Sequence, residues 1–135
     1  MTSQRPMVAP HIPSSLDDAK RALRRRVMAA RLGLDPLACG QALARHVLLD
    51  MPPPAGAVVA GFWPLAGEID VRPLLLALRE MGHAIVLPIT PPRGQPLTFG
   101  LWSPGDTLVP DRFGTLRPTG PERVPGFVLV PLLAF

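Results

Sequence analysis

Lys20 and Arg24 stand four residues apart, with Arg21, Arg25 and Arg26 between and beside them. On a helix that spacing puts Lys20 and Arg24 on one face. Two cations on one face can grip a polyphosphate, Arg through its planar fork. The same run also describes a solvated basic face. Further on, Glu68 follows an apolar run and a glycine, close after Phe62 and Trp63. A carboxylate there can accept hydrogen bonds from ring or amino N–H groups, and flat side chains can stack on a heterocycle. The alternative is an exposed turn glutamate beside two core aromatics.

The other reactive side chains form no constellation. His11, His46 and His83 are far apart, and Cys39 falls within a helical stripe, so no pair has metal-ligand spacing. Neither G-x-G-x-x-G nor G-x-x-x-x-G-K-[ST] occurs. A single cysteine excludes an internal disulfide and fits a cytoplasmic compartment.

Positioning these residues takes regular elements. Residues 1–13 hold three prolines and no periodicity, and are expected to be a disordered lead-in. A helix is predicted from Ser14 or Ser15 to Gly33. Ser15 and Asp18 form its capping box, and Leu16, Ala19, Leu23, Val27, Ala30 and Leu34 form one apolar stripe. Asp35-Pro36 opens a second helix with Cys39, Leu43 and Val47 on its stripe. Residues 57–62 read as a strand buried on both faces. Asp70 is placed to cap a third helix, with Leu74, Leu75, Leu78 and Met81 inward and Gly82 at its end. Residues 84–88 read as a second buried strand, which completes a βαβ unit with a right-handed crossover. Residues 96–102 alternate like an edge strand, 103–126 read as loop, and 127–135 as a last buried strand.

The chain has 135 residues, 47% of them apolar and 18% charged, enough for one core and too apolar for a disordered polar chain. No apolar run approaches the roughly 18 residues of a membrane-spanning helix. The formal charge is +4, and Lys20 is the only lysine among fourteen cations. A small positive balance favours anionic partners without choosing among them.

Read in order, these segments resemble the 5-formyltetrahydrofolate cyclo-ligase family, also called 5,10-methenyltetrahydrofolate synthetases. Lys20-Arg21-Ala22-Leu23-Arg24 looks like its K-x-x-L-R signature. Residues 61–70, Gly-Phe-Trp-Pro-Leu-Ala-Gly-Glu-Ile-Asp, resemble its aromatic-x-P-x-x-G-E-I-D segment. Gly82-His83, Leu87-Pro88, 97–99, 102–106, Phe113-Gly114 and 129–135 follow in order, so the likeness spans about residues 16–135. Arg117 departs from the Glu that many members have before the matching proline.

The resemblance implies a three-layer αβα fold with a mostly parallel sheet. It implies ATP-dependent closure of 5-formyltetrahydrofolate to 5,10-methenyltetrahydrofolate in one-carbon metabolism, by a cytoplasmic monomer with neither a membrane nor a nucleic-acid partner. Lys20, Arg21, Ala22, Leu23 and Arg24 match its ATP-binding residues, and Trp63 and Glu68 its folate-binding positions. Family members continue past the strand matching residues 127–135 with a glycine-rich loop that supplies most phosphate and Mg²⁺ contacts. This sequence has no such segment. Residues 14–135 therefore correspond to the N-terminal part of a single domain, with the metal ligands beyond it and little activity expected of the chain alone. The sequence also admits two rival readings: a nucleic-acid-binding module built on the basic helix, and a non-enzymatic remnant of the fold.

Overall fold

A computed structural model describes residues 15–133. The lead-in at 1–13, His11 with it, and the last two residues of the expected final strand lie outside the described residues. Helix α1 spans Leu16–Arg31, and its N-cap Ser15 Oγ accepts from the Asp18 N–H at 3.1 Å. Helix α2 spans Pro36–Asp50, with Asp35 accepting from the Leu37 N–H and proline in the first turn. Strand β1 is Val59–Ala60, helix α3 Arg72–Glu80, strand β2 Ile85–Ile89, strand β3 Thr98–Trp102 and strand β6 Phe127–Val128. A separate two-stranded hairpin pairs β4, Val109–Pro110, with β5, Leu116–Arg117.

The main sheet runs β3-β2-β1-β6. β1 is parallel to both β2 and β6, and β3 is antiparallel to β2. This is the α/β class with a mostly parallel sheet expected from the sequence. Val59, Ala60, Ile85, Val86 and Leu87 have no exposed surface, as strands covered on both faces require. Leu74, Leu75 and Leu78 of α3 and Val47 of α2 pack over Val59, Ile85 and Leu87 to make the core. Gly82 ends α3 at φ +95°, which lets the His83 N–H reach Leu78 O at 3.0 Å. Among the described residues, no helix is long and apolar enough to cross a membrane.

Asp70 caps α3 as expected, from one residue before the N-cap position Val71. Its Oδ1 accepts from the N–H of Arg72, the first helical residue, at 3.0 Å, and the same carboxylate holds the Arg72 guanidinium. Four expectations need correction. Met81 lies past the end of α3 and is exposed rather than inward. Residues 103–126 are not all loop. Asp111 N–H bonds Thr115 O, and the Asp111 carboxylate accepts from the Thr90 and Arg112 N–H groups, which folds the hairpin between turns. The first strand is shorter than 57–62: β1 is Val59–Ala60, and the Gly61 N–H makes the last bond to β2, to Val86 O at 2.9 Å. The last strand is not buried. β6 pairs only with β1, and Val130 and Leu132 beyond it are 68% and 61% exposed. The apolar stripe of α1 is also only partly covered: the helix buries no residue, Ala19 and Val27 are half-buried, and Leu16 is 72% exposed.

Edge strand β3 is shielded by a proline-rich segment. Leu101 N–H bonds Pro121 O and Arg123 N–H bonds Phe99 O, which occupies the edge.

Candidate functional site

The parallel strands β1, β2 and β6 all end at one side of the sheet, where ligands of open α/β folds bind. The chain leaving β1 there makes the 62–70 loop, and the chain leaving β6 makes 129–133. Between these two segments, the end of α1 and the start of α2 lies a groove of two lobes. The smaller is about 470 Å³ and is lined chiefly by apolar side chains, among them Cys39, Leu43, Phe62, Val71 and Leu129. The larger is about 830 Å³ and takes in Met28, Leu65, Glu68 and Leu133. Arg31, Leu34, Pro36, Gly67, Ile69 and Leu132 line both. Volumes in this range accommodate small organic ligands.

Glu68 owes its position to a tight turn. Its N–H donates to Leu65 O at 3.0 Å, and its Oε2 accepts from the Leu65 N–H at 2.8 Å. Gly67, at φ +82°, supplies the left-handed residue that this turn requires. Oε1 has no hydrogen-bond partner among the described residues. The larger lobe thus offers one free carboxylate oxygen on a wall otherwise mostly apolar.

Trp63 lines neither lobe. Its ring meets Trp102 edge-on at 5.9 Å between centroids, and the Arg72 guanidinium lies 5.3 Å from its centroid. Asp70 holds Arg72 with two bonds of 2.8 Å, and the Asp70 N–H reaches back to Pro36 O. The loop is therefore braced on one side by the Asp70–Arg72–Trp63–Trp102 chain and open on the other at Glu68.

The Arg72 side chain, bonded to Asp70, holds that carboxyl below its ordinary value. Burial opposes this, while the Arg72 N–H and the guanidinium charge add to it. A folded-state value below the unfolded one of about 3.9 gives stability that is present above that pH and lost as pH falls through the folded value. Wild type should therefore lose denaturant resistance more steeply than Asp70→Asn as pH drops below about 4. Parallel curves would show that the pair contributes nothing. Asp111 is shifted in the same direction, first by the Thr90 N–H and then by the Arg112 N–H, and it acts equally in both proteins.

Lys20, Arg21 and Arg24 are exposed on α1, as is Leu23, with Ala22 half-buried. None of the five lines the groove, which α1 reaches only through Met28, Arg31 and the residues after them. The helix nevertheless joins the two regions. At 100° per residue, Lys20, Arg24, Met28 and Arg31 fall within about 80° of one another, so the basic pair continues the face that lines the groove. Sequence reading missed Arg31, although this helical arithmetic contains it. It also missed the C-terminal segment as a wall, because short apolar runs carry no sign of which side they close.

The two described histidines stay apart. His46 faces Asp50 in the open, and His83 is buried with Nδ1 2.9 Å from Ala57 O. Among the described residues, no three His, Cys, Asp or Glu side chains are grouped to hold a metal.

No family model matches this chain, and no curated protein does. Its fold is similar to that of the Aquifex aeolicus 5,10-methenyltetrahydrofolate synthetase solved by NMR. The TM-score is 0.65 at 23% identity, over 85% of this chain and 61% of that one. The likeness is therefore one of fold, and this chain spans about three fifths of that protein's length.

Proposed function

We propose that the groove takes a reduced folate, that the basic face of α1 takes the phosphates of ATP, and that the chain serves the ATP-dependent ring closure of 5-formyltetrahydrofolate. The observation that carries this reading is the free Glu68 Oε1 in a lobe at the carboxyl ends of parallel strands, on a cyclo-ligase-like fold. A ring with amino and N–H groups can donate to Oε1 while its flat body lies on the apolar walls.

In the proposed reaction the formyl oxygen attacks the terminal phosphorus and ADP leaves. N10 then attacks the activated carbon and gives up its proton to solvent, and breaking of the carbon–oxygen bond releases phosphate and leaves the methenyl cation. Phosphoryl transfer asks a protein mainly for alignment and for positive charge near the moving group. Glu68 would orient the ring, Lys20 and Arg24 would hold the polyphosphate, and Trp63 would keep the loop in place through Arg72 and Trp102. Mg²⁺ would screen the phosphate charge when bound. Among the described residues no cluster of three His, Cys, Asp or Glu side chains would hold it.

Titration calorimetry of the chain with ATP and with 5-formyltetrahydrofolate tests the assignment. Lys20→Ala should weaken ATP by about tenfold, the worth of one charge-assisted contact, and leave folate affinity unchanged. Unaltered ATP affinity would return Lys20 to the solvated face.

A further inference from the structure

We infer that Arg31 is a third nucleotide-binding residue and contacts the terminal phosphoryl group, the one that is transferred. This rests on the reading of the groove as a folate and ATP site. Four observations lead to it.

Arg31 is the one cation that lines either lobe among the described residues, and it lines both. It is half-buried among Leu34, Pro36 and Leu132, where a guanidinium gives up part of its hydration. No described carboxylate is within ion-pair distance of it. Among the described residues its side chain makes one hydrogen bond, from Nη2 to Leu132 O, which fixes the plane of the fork. Nε and Nη1 then have no partner among the described residues. A guanidinium so held, with donors to spare beside an open lobe, is complementary to an anionic group with several oxygens.

Its place on α1 says which anion. Lys20, Arg24 and Arg31 lie within about 40° on the helix and extend about 16 Å along it. A ligand with consecutive anionic groups uses such a row, whereas a lone carboxylate needs one cation. Arg31 is also the member of the row that shares a lobe with Glu68. A nucleotide laid along the helix with its phosphates toward the groove brings the terminal one to Arg31, next to the ring that Glu68 orients. Charge stabilisation is most useful at that point, because charge develops there during transfer.

The test compares ATP, ADP and 5-formyltetrahydrofolate binding to wild type, Arg31→Met and Arg31→Lys. Arg31→Met should weaken ATP by about tenfold or more and leave ADP and the folate within about twofold. Arg31→Lys keeps the charge without the fork and should fall between. Circular dichroism checks the fold, and Arg31→Lys carries the comparison should the methionine variant lose helix. Loss only of the bond to Leu132 would not separate ATP from ADP. Equal losses for both nucleotides would overturn the terminal-phosphate contact. Loss of folate alone would reassign Arg31 to a carboxylate, and no change would leave it a structural tie. Wild type that binds neither ligand would instead overturn the reading of the groove, and this assignment with it.

Discussion

Gly40→Ala is expected to destabilise the protein by about 2–3 kcal/mol, as overpacking against a fixed neighbour does. Helix propensity alone says the opposite, since alanine is favoured over glycine in a helix interior by about 1 kcal/mol. The sign is decided by contact. A Cβ on Gly40 would lie 1.8 Å from Asp70 O and 2.8 Å from Asp70 C. Those are backbone atoms and cannot rotate aside. Asp70 is further fixed by its N–H bond to Pro36 O at 3.1 Å and by the two hydrogen bonds its carboxylate accepts from the Arg72 guanidinium. Either α2 or the loop must move, and Glu68 lies two residues away on that loop. Denaturant melts of Gly40→Ala should show the loss, accompanied by weaker folate binding. Unchanged or raised stability would mean that α2 approaches the loop less closely than described.

Glu68→Gln is expected to lower 5-formyltetrahydrofolate affinity by about tenfold or more, the worth of a hydrogen bond to a charged group. ATP affinity should stay within about twofold. Glutamine is the informative change because its oxygen can still accept from the Leu65 N–H, so the turn survives. What changes is the atom offered to the groove, from an acceptor to an NH₂ donor. Glu68→Ala removes the turn bond as well, and should add a stability cost of about 1 kcal/mol to the same loss of binding. Calorimetry on both variants separates the two effects. Equal loss of ATP and folate in Glu68→Gln would remove the ring-orienting role.

These two residues also show what was legible beforehand. Glu68 could be read because a glycine-led turn after a buried strand places its last residue at the strand's carboxyl end. The helix starts at Ser15 and Asp35-Pro36 were legible because capping is local chemistry. Gly40 was invisible as a constraint, since its neighbour is thirty residues away and no pattern marks a close backbone approach. Trp63 shows the limit for side chains. Adjacency to Phe62 suggests a shared surface, yet Phe62 lines the smaller lobe while Trp63 turns to Trp102 and Arg72. The β4–β5 hairpin was hidden because its strands are two residues each, and it is held by Asp111 side-chain bonds rather than by apolar alternation. The last strand read as buried from composition alone. Its exposure depends on what pairs with its outer edge, and composition says nothing about that.

The central claim is the location of the site. It is tested most directly by mapping amide chemical-shift changes in the isotope-labelled protein on adding 5-formyltetrahydrofolate and then ATP. The folate should move resonances of 65–69 and 129–133, and ATP those of the α1 face from Lys20 to Arg31. Shifts centred on the β4–β5 hairpin, or none with either ligand, would contradict the account.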